Sequence, residues 1–506
     1  MERHKVLILG NHPLVADLQR QYLGMGHDIT LHADGIVDAS ELNEATEVAV
    51  LMGDDYAALT MLKGLAEMTD MSLRGDKRLI CHLLLHSQIA LRMVQSCDFS
   101  DEIRERMDVY PFTMDEVWSR TIKLDYKPIT INSEQTAHLV IFGTSDMAEA
   151  VAFNAAMVGH FPNYVRDHSL RTRITLVCED ATRLCQNFTA RYRYLFDNCY
   201  YRLVGAQVND STKLAVTDFH EPQYKGKRED FVDVEWEFVE ANIYNTSLRN
   251  KLQMWADSDK QLLTLVFAHD DCDRNMTEAM YLLDEVYDTV VPIYAYKRSD
   301  ALEQIISPKG RAKRVTAFGM RHCGYDVSLP LVRMAKTVNY IYDQCYNDND
   351  KNWNGILRYA VEIDADKRET LWQKLGEVKR MSSIYNAMNV AVKMRSVGLP
   401  EEEWDRFYDI PQQDIELLAE VEHNRWSVEE LLQGYRPCTD EEQQMVEKDI
   451  DKKEELKQLR IHYDLRAYND LRQDKTGKSA KIYDLCLCSC LPLIAKSFTD
   501  EKGGAS

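Results

Sequence analysis

The first half of the chain writes one pattern twice, and that repetition leaves few folds open to it. Residues 4–10 (HKVLILG) are an apolar run closed by glycine, followed by a helical pattern over Pro13–Gly24 and a second apolar run, His27–His32, leading to Asp34. Residues 137–143 (AHLVIFG) begin the second copy, with a helix expected over Asp146–Val158 and a strand over Arg173–Val177 that closes on Glu179-Asp180. Strand, tight turn, helix and parallel strand make the mononucleotide-binding unit of a doubly wound sheet. Both copies go on alike: Val48–Met52 before Asp54-Asp55, then Arg78–Leu85 and Asp108–Phe112; Leu262–Ala268 before Asp270-Asp271, then Val290–Tyr296 and Arg314–Gly319. The expected fold class is α/β, with two tandem doubly wound parallel sheets over 1–130 and 131–327, an all-α connector over 328–410 and a helical module over 411–500.

The turns after the first strands differ. A dinucleotide loop wants glycine for the turn, a second glycine where backbone approaches the pyrophosphate, and a small third residue for helix packing. In the first copy these positions hold Gly10, His12 and Val15, so that copy reads as degenerate and structural. In the second they hold Gly143, Ser145 and Ala148, which keeps an adenine nucleotide or NAD(H) open there. Asp146 competes with a phosphate for the positive helix end, and an Asp there equally serves as a cap. Glu179 or Asp180 can accept from ribose hydroxyls. Asp270 and Asp271 sit at a strand end, where open α/β sheets place ligands, and they too can simply cap a helix.

Residues 181–234 read as an insertion containing Arg191-Tyr192-Arg193-Tyr194 and Tyr200-Tyr201-Arg202. Guanidinium and phenol side chains at this density can clamp an anionic, stackable ligand or form a self-association surface. The connector carries Trp353, Trp372 and a run over 381–387 that precedes another amphipathic helix.

In the last module Leu417, Leu418, Val421, Trp426, Val428, Leu431 and Leu432 recur at helical spacing, which predicts a helix over 412–433 ending at Gly434. Glu422-His423-Asn424-Arg425-Trp426, Gly434-Tyr435, the run His462–Leu471 and Lys481-Ile482-Tyr483-Asp484 follow in order. This series resembles the ryanodine-receptor-type (Ry) repeat, a small helical module associated with ligand sensing and protein contacts. The resemblance implies a small-molecule pocket lined by Glu422, His423, Trp426, Tyr435, His462 and Tyr468; the same aromatic residues can equally be core. Between Thr439 and Arg460 the chain departs from that pattern with an acidic stretch that reads as solvated helix.

Residues 1–325 resemble, at the level of fold, the Rossmann regulatory domains of bacterial potassium-uptake regulators and of potassium-channel gating rings. The carrying residues are Gly143, Glu179 or Asp180, and Asp270-Asp271 followed by Asn275. The resemblance implies a nucleotide-like ligand, pairing into a homo-oligomer, and a membrane channel or transporter as partner.

Composition narrows the classes further. The 506 residues are 45% hydrophobic and 28% charged, as in globular proteins, with no apolar run long enough for a membrane span. Met1-Glu2-Arg3-His4 leads straight into a strand without a signal-peptide core, so a cytoplasmic location is expected. A net charge of −21 opposes broad nucleic-acid binding. Twelve scattered cysteines point to free thiols; Cys486, Cys488 and Cys490 read as buried small side chains, and His82 and His86 lack a third ligand for a metal. No nucleophile elbow, Walker loop or zinc-protease helix occurs. The sequence therefore reads as a ligand-sensing regulator, with a nucleotide- or NAD-dependent enzyme and a stress or antiviral defence effector as alternatives.

Overall fold

Strands whose residues are apolar on both sides must lie inside a sheet covered on both faces, which is the environment of parallel strands. The computed structural model describes residues 4–75, 77–207, 210–222, 230–297, 310–319, 324–347, 363–471 and 479–498; the connector's Trp353 lies outside the described residues. The first sheet contains β1 (Lys5–Leu9), β2 (Asp28–His32), β3 (Glu47–Val50), β4 (Leu79–Leu84) and β5 (Met107–Phe112). They are all parallel, in the order β2-β1-β3-β4-β5. Leu7, Leu9, Val48 and Val50 pack against the helix Asp55–Met68 on one face, while Val6, Ile8, Ala49 and Leu51 pack against the helix Val15–Gly24 on the other. His82 is fully buried in β4, where its ring nitrogens meet the Tyr325 hydroxyl at 2.8 Å and Glu47 at 3.2 Å.

The second sheet has eight strands: β6 (Thr136–Phe142), β7 (Thr172–Cys178), β8 (Tyr201–Gln207), β9 (Asp210–His220), β10 (Val234–Glu240), β11 (Gln261–Phe267), β12 (Ile293–Tyr296) and β13 (Val315–Phe318). Its order is β13-β12-β11-β6-β7-β10-β8-β9. Without β8 and β9, this is the 3-2-1-4-5-6 order of dinucleotide-binding sheets. Residues 181–234 are therefore not simply an insertion. Helix Ala181–Arg191 helps to carry the chain toward β10, the third strand of that order, and the additional part of the sheet is the antiparallel β8–β9 pair at its edge.

The Arg and Tyr residues of this segment are largely engaged inside the chain. Arg191 makes two 2.9 Å bonds to Glu149, Arg202 reaches Glu235 at 2.6 Å, and Tyr201 stacks on His220 with ring centroids 4.6 Å apart.

Beyond the sheets, helices Pro330–Asn347, Ala365–Gln373, Glu377–Ser396, Gln412–Leu432, Lys481–Ser489 and Leu491–Lys496 share one apolar core around Val338, Trp372, Met394, Leu418 and Ile494. Cys486, Cys488 and Cys490 are buried in it. The acidic stretch forms the short helices Asp440–Lys448, opened by a capping box at Thr439, and Lys452–Gln458. Polar contacts join this body to both sheets. Arg380 reaches Asp108 of β5 at 2.9 Å, Asp98 accepts from the Glu377 amide at 2.7 Å, and Asn389 donates to the Val158 carbonyl at 2.9 Å. Among the described residues no helix is long and apolar enough to cross a membrane.

Candidate functional site

The winding of the second sheet reverses between β6 and β11, so the loops leaving these strands diverge and open a crevice at their C-terminal ends. Gly143 ends β6 with φ +119°, its amide donates to Val177 at 3.1 Å, and it lies so close to Ala268 that a side chain has no room. Ser145 caps the helix Asp146–Val158. Its hydroxyl accepts from the Ala148 amide at 3.1 Å and donates to the Ala268 carbonyl at 2.5 Å, so it is already engaged. Asp146 is exposed in the first turn.

At the end of β7, Asp180 caps the helix Ala181–Arg191 through the Arg183 amide at 3.2 Å. The neighbouring Glu179 is exposed, accepts from Asn242 at 3.2 Å and stands 3.9 Å from Arg274. At the end of β11, Asp270 is exposed, and Asp271 caps the helix Cys272–Ala279 through the amides of Asp273 and Arg274. Asn275 is fully buried. Its oxygen accepts from the His269 amide at 2.6 Å, and its nitrogen donates to the carbonyls of His269 and Tyr296 at 2.9 and 3.1 Å.

The eight residues expected here thus surround one crevice, but with divided duties. Gly143, Ser145, Asp180, Asp271 and Asn275 shape its backbone, while Asp146, Glu179 and Asp270 present carboxylates to solvent. Three further residues complete it: His269 bonds Glu278 at 2.9 Å, and Arg274 bonds the same carboxylate at 2.6 Å. Burial opposes ionisation of Glu278, yet these two partners hold its carboxyl below the usual range. The i, i+4 spacing of Arg274 and Glu278 was the available sequence signal. Chemically, the crevice offers carboxylates suited to ligand hydroxyls, the Arg274 guanidinium, and the amides of a helix N-terminus suited to an anion.

The six residues expected to line a second pocket are brought together only in part. Helix Gln412–Leu432 presents His423 and Trp426 to a short parallel ladder, β14 (Arg436–Pro437) with β15 (Ile461–His462). Trp426 meets the His462 ring edge-on at 4.8 Å, and His423 lies 5.4 Å from Trp426 and 5.7 Å from Tyr468. Tyr435 lies 6.1 Å from His462. His423, His462 and Tyr468 are buried in this cluster, and the His423 Nε2 contacts the Arg466 carbonyl at 2.8 Å. Burial pushes His462 down to about 3, whereas Asp484 and the Arg466 carbonyl outweigh burial and raise His423. Glu422 does not join them. One residue along a helix is a rotation of about 100°, and Glu422 faces Asn386, Lys393 and Arg425 in a separate buried ion cluster.

Glu430 lies beside that cluster. Burial, with Glu429 alongside, pushes its carboxyl up to about 8. Between about pH 4.5 and 8 the unfolded chain releases this proton while the folded chain keeps it, so this group lowers stability as pH rises. Glu430→Gln is expected to flatten that slope and to be more stable than the parent at pH 8.5, by an upper limit on the order of 5 kcal/mol. Denaturant unfolding at pH 5, 7 and 8.5 checks it; parallel pH profiles for both proteins would refute it.

No family model matches this chain. No curated protein matches it either. Two crystal structures of NtrX from Brucella abortus, one of them in complex with ADP, align over 86% of this chain and 94% of theirs. The identity is 10% in both, with TM-scores of 0.15 and 0.14, values too low to carry an argument about fold or function.

Proposed function

We propose that the chain is a cytoplasmic regulator that senses a nucleotide-like small molecule in the crevice of the second sheet and passes the result to a partner through its helical body. The observation carrying this reading is the reversal of winding between β6 and β11, which gathers the Gly143 turn, Glu179 and Asp270 at one opening. An adenine nucleotide or NAD(H) is the favoured ligand, with Glu179 accepting from a ribose hydroxyl and the first turn of Asp146–Val158 meeting a phosphate. The likeness of the sequence to potassium-uptake regulators and to the Ry repeat supports regulation, assembly as a homo-oligomer and a channel or transporter partner. A role in antiviral or stress signalling uses the same crevice with a different partner.

Calorimetric titration with ADP and NAD+ tests the ligand. The parent chain is expected to bind at least one of them, and Glu179→Ala to weaken that binding about tenfold or more, the scale of a lost hydrogen bond to a charged group. Absence of binding by the parent at millimolar ligand, or unchanged affinity in Glu179→Ala, would overturn the assignment.

A further inference from the structure

Away from the crevice, the helices Pro330–Asn347 and Lys481–Ser489 bring two thiols together inside the apolar core of the helical body. Cys345 and Cys486 are fully buried, and their sulfurs stand 2.7 Å apart although 141 positions separate them in the chain. That distance lies inside ordinary nonbonded sulfur contact, and roughly 0.7 Å of further approach reaches the length of an S–S bond. The surroundings hold the sulfurs in this relation. The Tyr483 ring stacks on Tyr342 with centroids 4.9 Å apart and on Tyr346 at 6.3 Å, so the two helices are clasped by residues that flank Cys345 in the chain. The Cys345 sulfur also lies 3.9 Å from the Ile482 carbonyl.

The other two cysteines of this segment are placed differently. Two residues along a helix are a rotation of about 200°, and Cys488 lies instead beside the Lys393–Glu422 ion pair. Cys490, four positions after Cys486, comes back toward the same side; burial, with Cys345 nearby, pushes its thiol up to about 12. Among the described residues no group of three His, Cys, Asp or Glu side chains is arranged to hold a metal ion. The close approach of Cys345 and Cys486 is the geometry of a thiol pair.

We propose that Cys345 and Cys486 are a reversible redox pair, converted to one internal disulfide by exchange with a low-molecular-weight disulfide. Both sulfurs are buried, so exchange runs through local opening of the helix Lys481–Ser489. One protein thiolate attacks the small disulfide, forming a mixed disulfide and releasing one small thiol. The second protein thiolate attacks the protein sulfur of that intermediate; the protein S–S bond forms and the second small thiol leaves. Two protein thiols are oxidised, one small disulfide is reduced to two thiols, and the two protons pass to the leaving thiolates. The packing of the two helices favours the second step, because it holds the second thiol beside the first at a high effective concentration. The bond ties the segment after the second sheet to the helix whose Asp484 lies 3.4 Å from His423. In a reducing compartment such a pair serves as a redox sensor rather than a permanent link.

Glutathione disulfide, buffered with reduced glutathione, is the probe, applied to the full chain until equilibrium. Alkylation of the remaining thiols and peptide mapping read the result. The parent is expected to yield the Cys345 peptide linked to the Cys486 peptide, with an exchange constant at least about tenfold above that of the same chain in urea. Fragmentation between Cys486 and Cys490 locates the bond. Cys345→Ala and Cys486→Ala should abolish the link, and Cys490→Ala should keep it. The comparison with urea uses the parent alone, so it holds whether or not a variant folds. No link in the parent, a link at Cys490 in place of Cys486, or equal constants with and without urea would each overturn the proposal.

Discussion

Glu422→Ala is expected to destabilise the chain by about 3–5 kcal/mol, because it breaks a buried ion cluster and leaves cations behind. Glu422 and Lys393 are 2% and 1% exposed, too little for water to replace a lost partner. The Glu422 carboxylate accepts from Asn386 at 2.7 Å and from Arg425 at 2.8 Å, and it pairs with Lys393. Burial alone would raise its pKa, but the charges of Arg425 and Lys393 hold it down at about 2. A depressed carboxyl stabilises the fold above its unfolded pKa and loses that contribution as pH falls through the folded value. Unfolding curves at pH 7 should separate parent from variant, and the gap should narrow toward pH 2–3. A constant gap would assign the loss to packing rather than charge.

The second large effect is expected at two glycines far apart in the chain. A Cβ at Gly143 would lie 2.5 Å from the Ala268 carbonyl oxygen, at a φ of +119°. Gly10 has φ +110° and the same kind of contact, with the Leu51 carbonyl. Left-handed backbone costs a side chain roughly 1–2 kcal/mol and overpacking a further 1–3 kcal/mol, so Gly143→Ala and Gly10→Ala should each cost about 3 kcal/mol or more. Denaturant unfolding measures both. The sequence reading assigns ligand approach to Gly143 and folding to Gly10; this geometry makes both positions essential to the fold. A Gly143→Ala chain of parental stability would show that the β6 turn can relax away from β11.

Parts of the architecture were readable because their causes are local. The doubled β-α-β pattern follows from apolar runs closed by glycine, and helix Asp146–Val158 has the bounds its periodicity and cap predict. Strand β10 was hidden because Glu235 and Glu237 interrupt its apolar character. They are tolerated in the sheet because Arg173 on β7 and Arg202 on β8 lie 2.5 and 2.6 Å from Glu235. That compensation comes from residues more than thirty positions away.

The crevice carboxylates were legible from their place at strand ends. The Asn275 contacts to His269 and Tyr296 were not, because they depend on how β11 and β12 stand side by side. Glu422 could have been separated from His423 by counting rotation along the helix. Arg92, Asn154 and Gln433 share no local pattern, and only the packing of helices from distant parts of the chain brings them to the walls of one cavity.

Helix Asp146–Val158 has 13 residues and so is a rod about 20 Å long. Its first turn borders the crevice, its middle walls the cavity, and its last carbonyl is held by Asn389 on the helical body. A rod transmits axial displacement with little loss. A movement of about 1 Å directed away from Asn389 would stretch the 2.9 Å contact beyond hydrogen-bonding distance. The helix thus ties the crevice turn to the helical body through one continuous hydrogen-bonded segment.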